Sequence, residues 1–244
     1  MIVNNPKEVT MKKKVLVTGA TRGLGEAISR KFKNEGWYVI GTGTKPSSTA
    51  SYLDDYFTCR LDDKLHVDML IDQAKHLQVS TLVNNAGINI INNFLDIRPE
   101  DFERIHAVNL FAPFRLSQGF IPYMIEQGWG RIVNISSVWG KISKQGRASY
   151  SASKFGLDGL TLSMANEFAS KGILCNCVAP GFIDTEMTWN NLGAEGVAAM
   201  LENVPINRLA NADEIANVVF NLGSEQNTYI SGQNIAIDGG FTRA

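Results

Sequence analysis

The sequence predicts a single doubly wound α/β domain built on a parallel sheet, and three observations carry that reading. Apolar, β-branched runs of strand length alternate with amphipathic stretches of helix length along the chain, the order that covers both faces of a parallel sheet with helices. A glycine-rich turn, Thr18 to Gly25, stands between the first such run and the first helical stretch. The 244 residues, 44% of them apolar, can fill one large core, and no repeat, low-complexity tract or linker divides them.

Taken in order, strands are predicted over residues 14–18, 37–42, 56–59, 80–84, 131–136, 173–179 and 234–238, with helices between them. Residues 43–55 are short for a crossover and rich in Ser and Thr, so the second helix is stunted or irregular. Long helices are expected near residues 98–126 and 149–170. Residues 1–10 lack the charged-then-apolar layout of a signal peptide and read as a loosely ordered tail, with Met11 an alternative start and the domain running over 11–244.

Charge and composition exclude several classes of partner. With 23 basic against 24 acidic residues the formal charge is −1, so no global basic field recruits nucleic acid or an anionic membrane. The basic run Lys12-Lys13-Lys14 reads as a solvated flank. No stretch approaches the roughly 18 apolar residues of a membrane span. Three cysteines are too few for a disulfide framework and fit a reducing cytoplasm. Cys175 and Cys177 read as packing residues, with a zinc site as the alternative; His66, His76 and His106 are scattered over separate segments.

The glycine turn carries a binding function. Gly19, Gly23 and Gly25 permit a tight strand-to-helix turn and let a pyrophosphate lie on free backbone N–H groups at the helix N-terminus. Their spacing, Gly-x-x-x-Gly-x-Gly, differs from the common Gly-x-Gly-x-x-Gly fingerprint. Further along, Asn84-Asn85-Ala86-Gly87 ends an apolar strand with residues that allow close backbone approach to a ligand, or that simply make a turn. Ser137 follows another strand, at the end where this fold places its ligands. Tyr150 and Lys154, four residues apart, share one face of a helix beginning near Ser149. A Tyr-x-x-x-Lys pair alone is weak, and the plain alternative is a surface pair.

Together, Thr18-Gly-Ala-Thr-Arg-Gly-Leu-Gly25, Asn84-Asn-Ala-Gly87, Asn109, Ser137, Tyr150-x-x-x-Lys154 and Pro180-Gly181 resemble, in order and spacing, the short-chain dehydrogenase/reductase family over residues 12–244. Pro180-Gly-Phe-Ile-Asp-Thr-Glu-Met187 and the ending Ile235-Ala-Ile-Asp-Gly-Gly240 are most similar to its 3-oxoacyl-[acyl-carrier-protein] reductase branch. The resemblance implies a Rossmann-type fold and a catalytic set of Asn109, Ser137, Tyr150 and Lys154. It implies cofactor contacts from Gly19, Thr21, Arg22, Gly23, Leu24, Gly25, Thr42, Thr44, Asn85, Ala86, Gly87, Tyr150, Lys154, Pro180, Gly181, Ile183 and Thr185. It also implies that Asn109 positions a water connecting Lys154 to solvent, that about residues 186–204 form a substrate lid, and that the long helices pack in a homotetramer. For Asn109 alone, a hydrogen bond to a neighbouring backbone carbonyl is the alternative.

The chemistry fits these residues. Reducing a ketone leaves an alkoxide that needs a proton, and Tyr150 is the expected acid, with the Ser137 hydroxyl stabilising the developing charge. Lowering a phenol near pKa 10 by about 3 units needs ~4 kcal/mol, and a lysine ammonium ~5 Å away supplies about 3 kcal/mol at an effective dielectric near 20. Lys154 is therefore expected to do most of the tuning. The second strand ends Gly41-Thr42-Gly43-Thr44-Lys45 with no carboxylate, so NADP(H) is predicted over NAD(H), with Arg22, Thr42 and Thr44 as donors to the 2′-phosphate.

Three stretches depart from the family pattern: Arg60-Leu61 near the adenine, the short second crossover, and Lys144 and Arg147 just before Tyr150, which add charge beside the reacting centre. The substrate is expected to be a keto group on an acyl-carrier thioester, docked by Arg131 and Lys171. A small polar or anionic keto compound bound by Lys144 and Arg147, or a sugar or polyol, is the alternative. Trp139 and Trp189 flank the expected cleft. A non-catalytic cofactor-binding protein would tolerate loss of any catalytic residue, and all four are present. A nucleotide-sugar epimerase would need a C-terminal substrate domain for which the chain has too little length.

Overall fold

The computed structural model describes residues 13–243; the expectation for residues 1–10 lies outside the described residues. Seven parallel strands form one sheet: β1 (Lys14–Val17), β2 (Tyr38–Gly43), β3 (Asp55–Thr58), β4 (Thr81–Asn84), β5 (Gly130–Ile135), β6 (Ile173–Pro180) and β7 (Asn234–Ile237). Their spatial order is β3-β2-β1-β4-β5-β6-β7, and every strand boundary falls within one residue of the sequence expectation. The chain winds outward from β1 to β3, then returns to β1 and winds the other way through β4. The carboxyl ends of β1 and β4 therefore flank a crevice, the place where such sheets bind ligands.

Alternation within the strands decides which side chain enters which half of the core. On β1, Val15 and Val17 face one side with Val39, Val83, Val133 and Val178, while Leu16 faces the other with Ile40, Leu82, Ile132 and Cys175. Helices α1 (Gly23–Asn34) and α7 (Ala212–Gly223) cover the first side. There Phe32 makes edge contacts with Trp37 and Phe220 at ring-centre distances of 5.1 and 5.0 Å. Burying one such ring stabilises the fold by roughly 1.5–3 kcal/mol. Helices α2 (Lys64–Ala74), α4 (Ala112–Gln127) and α5 (Ala148–Phe168) cover the second side, with α3 (Pro99–His106) leading into α4.

Residues 44–54 contain no helix, so the second crossover is irregular, as its length and Ser/Thr content predict. Tyr52 folds back under the glycine turn, its hydroxyl 3.4 Å from the Ala20 carbonyl. One feature has no sequence signal: Ala107–Phe111, between α3 and α4, is a π turn, and it carries Asn109. After β6 comes α6 (Glu186–Leu201), bent at Gly193, whose φ of 64° and ψ of 178° break the helix into two arms.

Candidate active site

The glycine turn is braced from beneath by the ends of two strands. Thr18 Oγ1 accepts from the N–H groups of Asn85 (2.9 Å) and Ala86 (3.0 Å), and Asn85 Nδ2 donates back to the carbonyls of Thr18 (2.9 Å) and Gly19 (3.3 Å). From β2, Thr42 Oγ1 accepts the Gly19 N–H at 3.4 Å. Glycine is obligatory at two points: Gly19 has a φ of +65°, and a Cβ on Gly25 would lie 2.0 Å from the Gly19 carbonyl oxygen. Arg22, the N-cap of α1, makes no side-chain cap, which leaves first-turn N–H groups available at the positive end of a 12-residue helix. This cradle fits a pyrophosphate.

These bonds give two of the expected cofactor residues a structural task. Thr42 is 1% exposed and its hydroxyl is taken up by the turn, so it props Gly19 rather than facing a 2′-phosphate. The Asn85 amide is likewise turned into the loop. Both side chains can serve backbone or ligand equally well, and spacing alone does not say which. Thr44 is exposed at the end of β2, followed by the exposed Lys45, a cation that the expected ligand set omitted. Arg22 Nη1 lies 3.3 Å from Glu186 Oε2, joining the turn to the first residue of α6. Thr185 closes the crevice on the same side, its methyl 3.7 Å from where a Cβ on Gly23 would stand. The segment from Pro180 to Thr185 thus runs from the end of β6 to the glycine turn. Gly181 lets it pass β7, since a Cβ there would lie 2.8 Å from Asp238 Cα, and a parallel bridge from Ile183 to Ala210 fixes its course.

The expected catalytic residues meet where β4, β5 and α5 converge. Ser137 follows β5 in extended backbone, and its Oγ accepts the Trp139 N–H at 3.2 Å. Lys154 Nζ donates to the Ile135 carbonyl at 2.7 Å and stands 5.6 Å from the centre of the Tyr150 ring. Asn109 joins the loop after β4 to α5. Its Oδ1 accepts the Ile88 N–H (2.9 Å), and its Nδ2 donates to the Ile88 carbonyl (2.9 Å) and Ser153 Oγ (3.1 Å). A Cβ on Gly87 would lie 3.4 Å from Asn109 Oδ1 and 3.6 Å from Lys154 Nζ, so Gly87 lets both approach the same backbone.

Burial adds an influence opposed to that of the neighbouring cations. Burial raises the Tyr150 phenol above its ordinary pKa of 10.0, opposed by a hydrogen bond with Ser137 and by the charge of Arg147. Lys154 Nζ stands 5.6 Å from the centre of the ring, a range at which an ammonium favours the tyrosinate. Its ammonium is directed at the Ile135 carbonyl, and burial brings its own pKa down from 10.5 to about 8. Proximity of the two side chains on one helix face was legible, but their desolvation was not.

Two other arginines of interest part company. Arg131 is 5% exposed, and its guanidinium donates to the carbonyls of Gly130 (2.8 Å), Gly172 (3.2 Å) and Asn227 (2.7 Å) while lying over Trp129. It is a structural residue, which removes it from the expected carrier-docking pair; Lys171 is exposed. Arg147 is also 5% exposed, yet no acceptor or carboxylate partner of its guanidinium occurs among the described residues, and its Nε is buried without a hydrogen bond. Arg147 and Lys144 both lie over the ring of Trp139, at 5.5 and 5.2 Å. Trp139 in turn packs edge-on with Phe182 and Phe241, at 6.2 and 5.8 Å. Trp189, on α6, donates to Asp184 Oδ1 at 2.7 Å and is half exposed. A cavity of about 800 Å³ along α3 and α4, lined by Arg60, Phe102, Phe111 and Phe114 among others, includes none of the catalytic set.

A dinucleotide cradle at a topological switch point, beside a phenol, a hydroxyl and an ammonium, defines an oxidoreductase. Residues 13–195 match the family model described as short chain dehydrogenase. The chain is 39% identical over 235 residues to the 3-oxoacyl-[acyl-carrier-protein] reductase FabG of Escherichia coli (strain K12), covering 93% of this chain and 96% of that protein. A solved putative NAD(P)-dependent gluconate 5-dehydrogenase from Beutenbergia cavernae, with bound NADP, is 28% identical and superposes with a TM-score of 0.91 over 95% of this chain and 97% of its own. A 3-oxoacyl (acyl-carrier-protein) reductase from Agrobacterium tumefaciens, with NADP bound, is 29% identical, with a TM-score of 0.88 over 93% of each chain. The chain belongs to the short-chain dehydrogenase family.

Proposed function

We propose that the protein is an NADPH-dependent ketoreductase acting on 3-oxoacyl compounds. The observation that carries the reading is the convergence of Ser137, Tyr150 and Lys154 at the carboxyl end of β5, beside a glycine cradle whose neighbouring strand end, Gly41 to Lys45, bears no carboxylate. The likeness to the reductase of Escherichia coli supports the 3-oxoacyl class, and the NADP in the two solved relatives supports the cofactor.

The nicotinamide, when bound, supplies the hydride. Tyr150 gives its phenolic proton to the oxygen that the hydride leaves negative, so that carbonyl, hydride and proton make the alcohol. The raised pKa of Tyr150 keeps that proton in place through the neutral range, the state a reducing acid needs. Ser137 Oγ donates to the same oxygen and stabilises its charge. Lys154 holds a buried positive charge beside the phenol. Asn109 fixes the loop after β4 against α5 and is proposed to order the water that returns a proton toward Lys154. Residues 186–201 act as the lid.

Among the described residues no helix is long and apolar enough to cross a membrane. The proposed setting is the cytoplasm, with the protein as a homotetramer through its long helices. Oxidation of NADPH on addition of 3-oxoacyl thioesters tests the function. Turnover faster with NADH, or none with any 3-oxo compound, would remove it. Lys171→Glu tests carrier docking: activity on a carrier-bound substrate should fall while a short soluble thioester is spared.

A further inference from the structure

We propose that Arg147 is a carboxylate-binding residue of the active site, so that the enzyme takes 3-oxo acids as free carboxylates, with the acid group on Arg147 and the ketone on Tyr150. This rests on the ketoreductase reading and narrows its substrate.

Two equally buried arginines differ in how their charge is met. Arg131 directs Nη1 and Nη2 at three backbone carbonyls, whereas the Arg147 guanidinium rests on the Trp139 ring and has neither an acceptor nor a carboxylate partner among the described residues; Nε is without a hydrogen bond in both. A buried cation that rests on an indole ring but has no hydrogen-bond acceptor among the described residues is an arrangement that an anionic ligand completes. Its position gives the ligand's shape. Arg147 immediately precedes α5 and lies three residues before Tyr150, and its charge reaches the phenol. Tyr150 is the third residue of the helix that Arg147 caps, so the two side chains issue from one short stretch of backbone. A 3-oxo acid, with its carboxylate carbon two bonds from its ketone carbon, is a ligand short enough to engage both.

The surroundings agree. Trp139, Phe182 and Phe241 form an apolar wall beside the guanidinium, suited to a short acyl chain. Lys144 adds a second cation over the same indole ring. The planar fork of an arginine pairs with both oxygens of a carboxylate, which a thioester carbonyl cannot match. The carrier-docking alternative is correspondingly weakened, since Arg131 is internal.

The test compares 3-oxobutanoate with its methyl ester, NADPH being followed by absorbance, in the wild-type protein and in Arg147→Gln. Wild type should favour the carboxylate by about tenfold or more in kcat/KM, and Arg147→Gln should lower the carboxylate-to-ester ratio by about a hundredfold, mostly through KM. A purely structural role for Arg147 would lower both substrates together and leave the ratio unmoved, which overturns the proposal. So does a wild-type enzyme that reduces the ester as well as the acid, or one whose Arg147-dependent preference is for a keto phosphate such as dihydroxyacetone phosphate. If Arg147→Gln does not fold, inhibition of ester reduction in the wild type decides: butanoate should compete at least tenfold better than butanamide, and equal inhibition overturns the assignment. Absence of turnover with both the acid and the ester removes the ketoreductase reading as well, whereas efficient ester reduction without carboxylate preference removes only this inference.

Discussion

Lys154 and Tyr150 share a face of α5, with the ammonium 5.6 Å from the phenol ring centre and bonded to the Ile135 carbonyl, while burial raises the phenol's pKa against a hydrogen bond with Ser137 and the charge of Arg147. The pair is therefore two desolvated groups side by side, and each has its own consequence for pH.

For Lys154 the folded pKa of about 8 lies below the ordinary 10.5, so the folded protein holds this proton less tightly than the unfolded chain. The resulting penalty, about 3 kcal/mol, is fully present below pH 8 and disappears as pH rises toward 10.5. Lys154→Met should raise stability at pH 7 by up to ~3 kcal/mol, less whatever the freed Ile135 carbonyl loses, and should give a smaller gain at pH 10. Urea melts of both proteins at the two pH values check this. A gain that does not shrink with pH would contradict the buried ammonium.

Tyr150→Phe deletes a proton and little surface. Turnover should fall by roughly a hundred- to ten-thousand-fold while NADPH affinity changes by less than about threefold. Steady-state kinetics with fluorescence titration of NADPH separates the two, and near-normal turnover would exclude Tyr150 as the acid.

Cofactor selection should divide Arg22 from Thr42. Arg22→Ala should weaken NADPH more than NADH, by about tenfold in the ratio, because only NADPH offers a phosphate to the guanidinium. Glu186→Gln, which releases Arg22 from an exposed ion pair, should tighten NADPH slightly, about two- to threefold. Thr42→Val should weaken both cofactors alike through the Gly19 turn. Equal losses for both cofactors in Arg22→Ala would transfer the phosphate to another donor, with the exposed Lys45 the first to try.

Gly193 bends α6 at a backbone conformation that costs other residues about 1–3 kcal/mol. A Cβ there would meet nothing within 4 Å, so Gly193→Ala changes conformation without a clash. It should alter kcat and KM together while leaving the melting of the core within about 1 kcal/mol. Unchanged kinetics would mean that the bend has no part in closing the site.

Much of this was legible beforehand, for identifiable reasons. The strands stood out because Val15, Leu16 and Val17 must alternate between two cores, and the same alternation recurs along β4, β5 and β6. Ser137, Tyr150 and Lys154 were found because a strand end and a four-residue helical step fix their mutual position. Orientation was not legible. The Thr42 hydroxyl and the Asn85 amide could face a ligand or the turn, and they face the turn. Arg131 reads as a surface cation until Gly172 and Asn227, distant in the chain, bring their carbonyls to it. The π turn at Asn109 and the desolvation of Tyr150 arise from tertiary packing, which no local pattern encodes.

The bracket between Thr18 and Asn85 has a kinetic consequence. Because four hydrogen bonds within the protein already hold the glycine turn in shape, the adenosine half of the dinucleotide meets a rigid socket and need not organise it. The nicotinamide half would meet the proposed lid, a flap jointed at Gly193. Association should therefore be biphasic, a concentration-dependent docking governed by the socket followed by a concentration-independent isomerisation governed by the flap, and a change in one half should leave the rate constant of the other untouched.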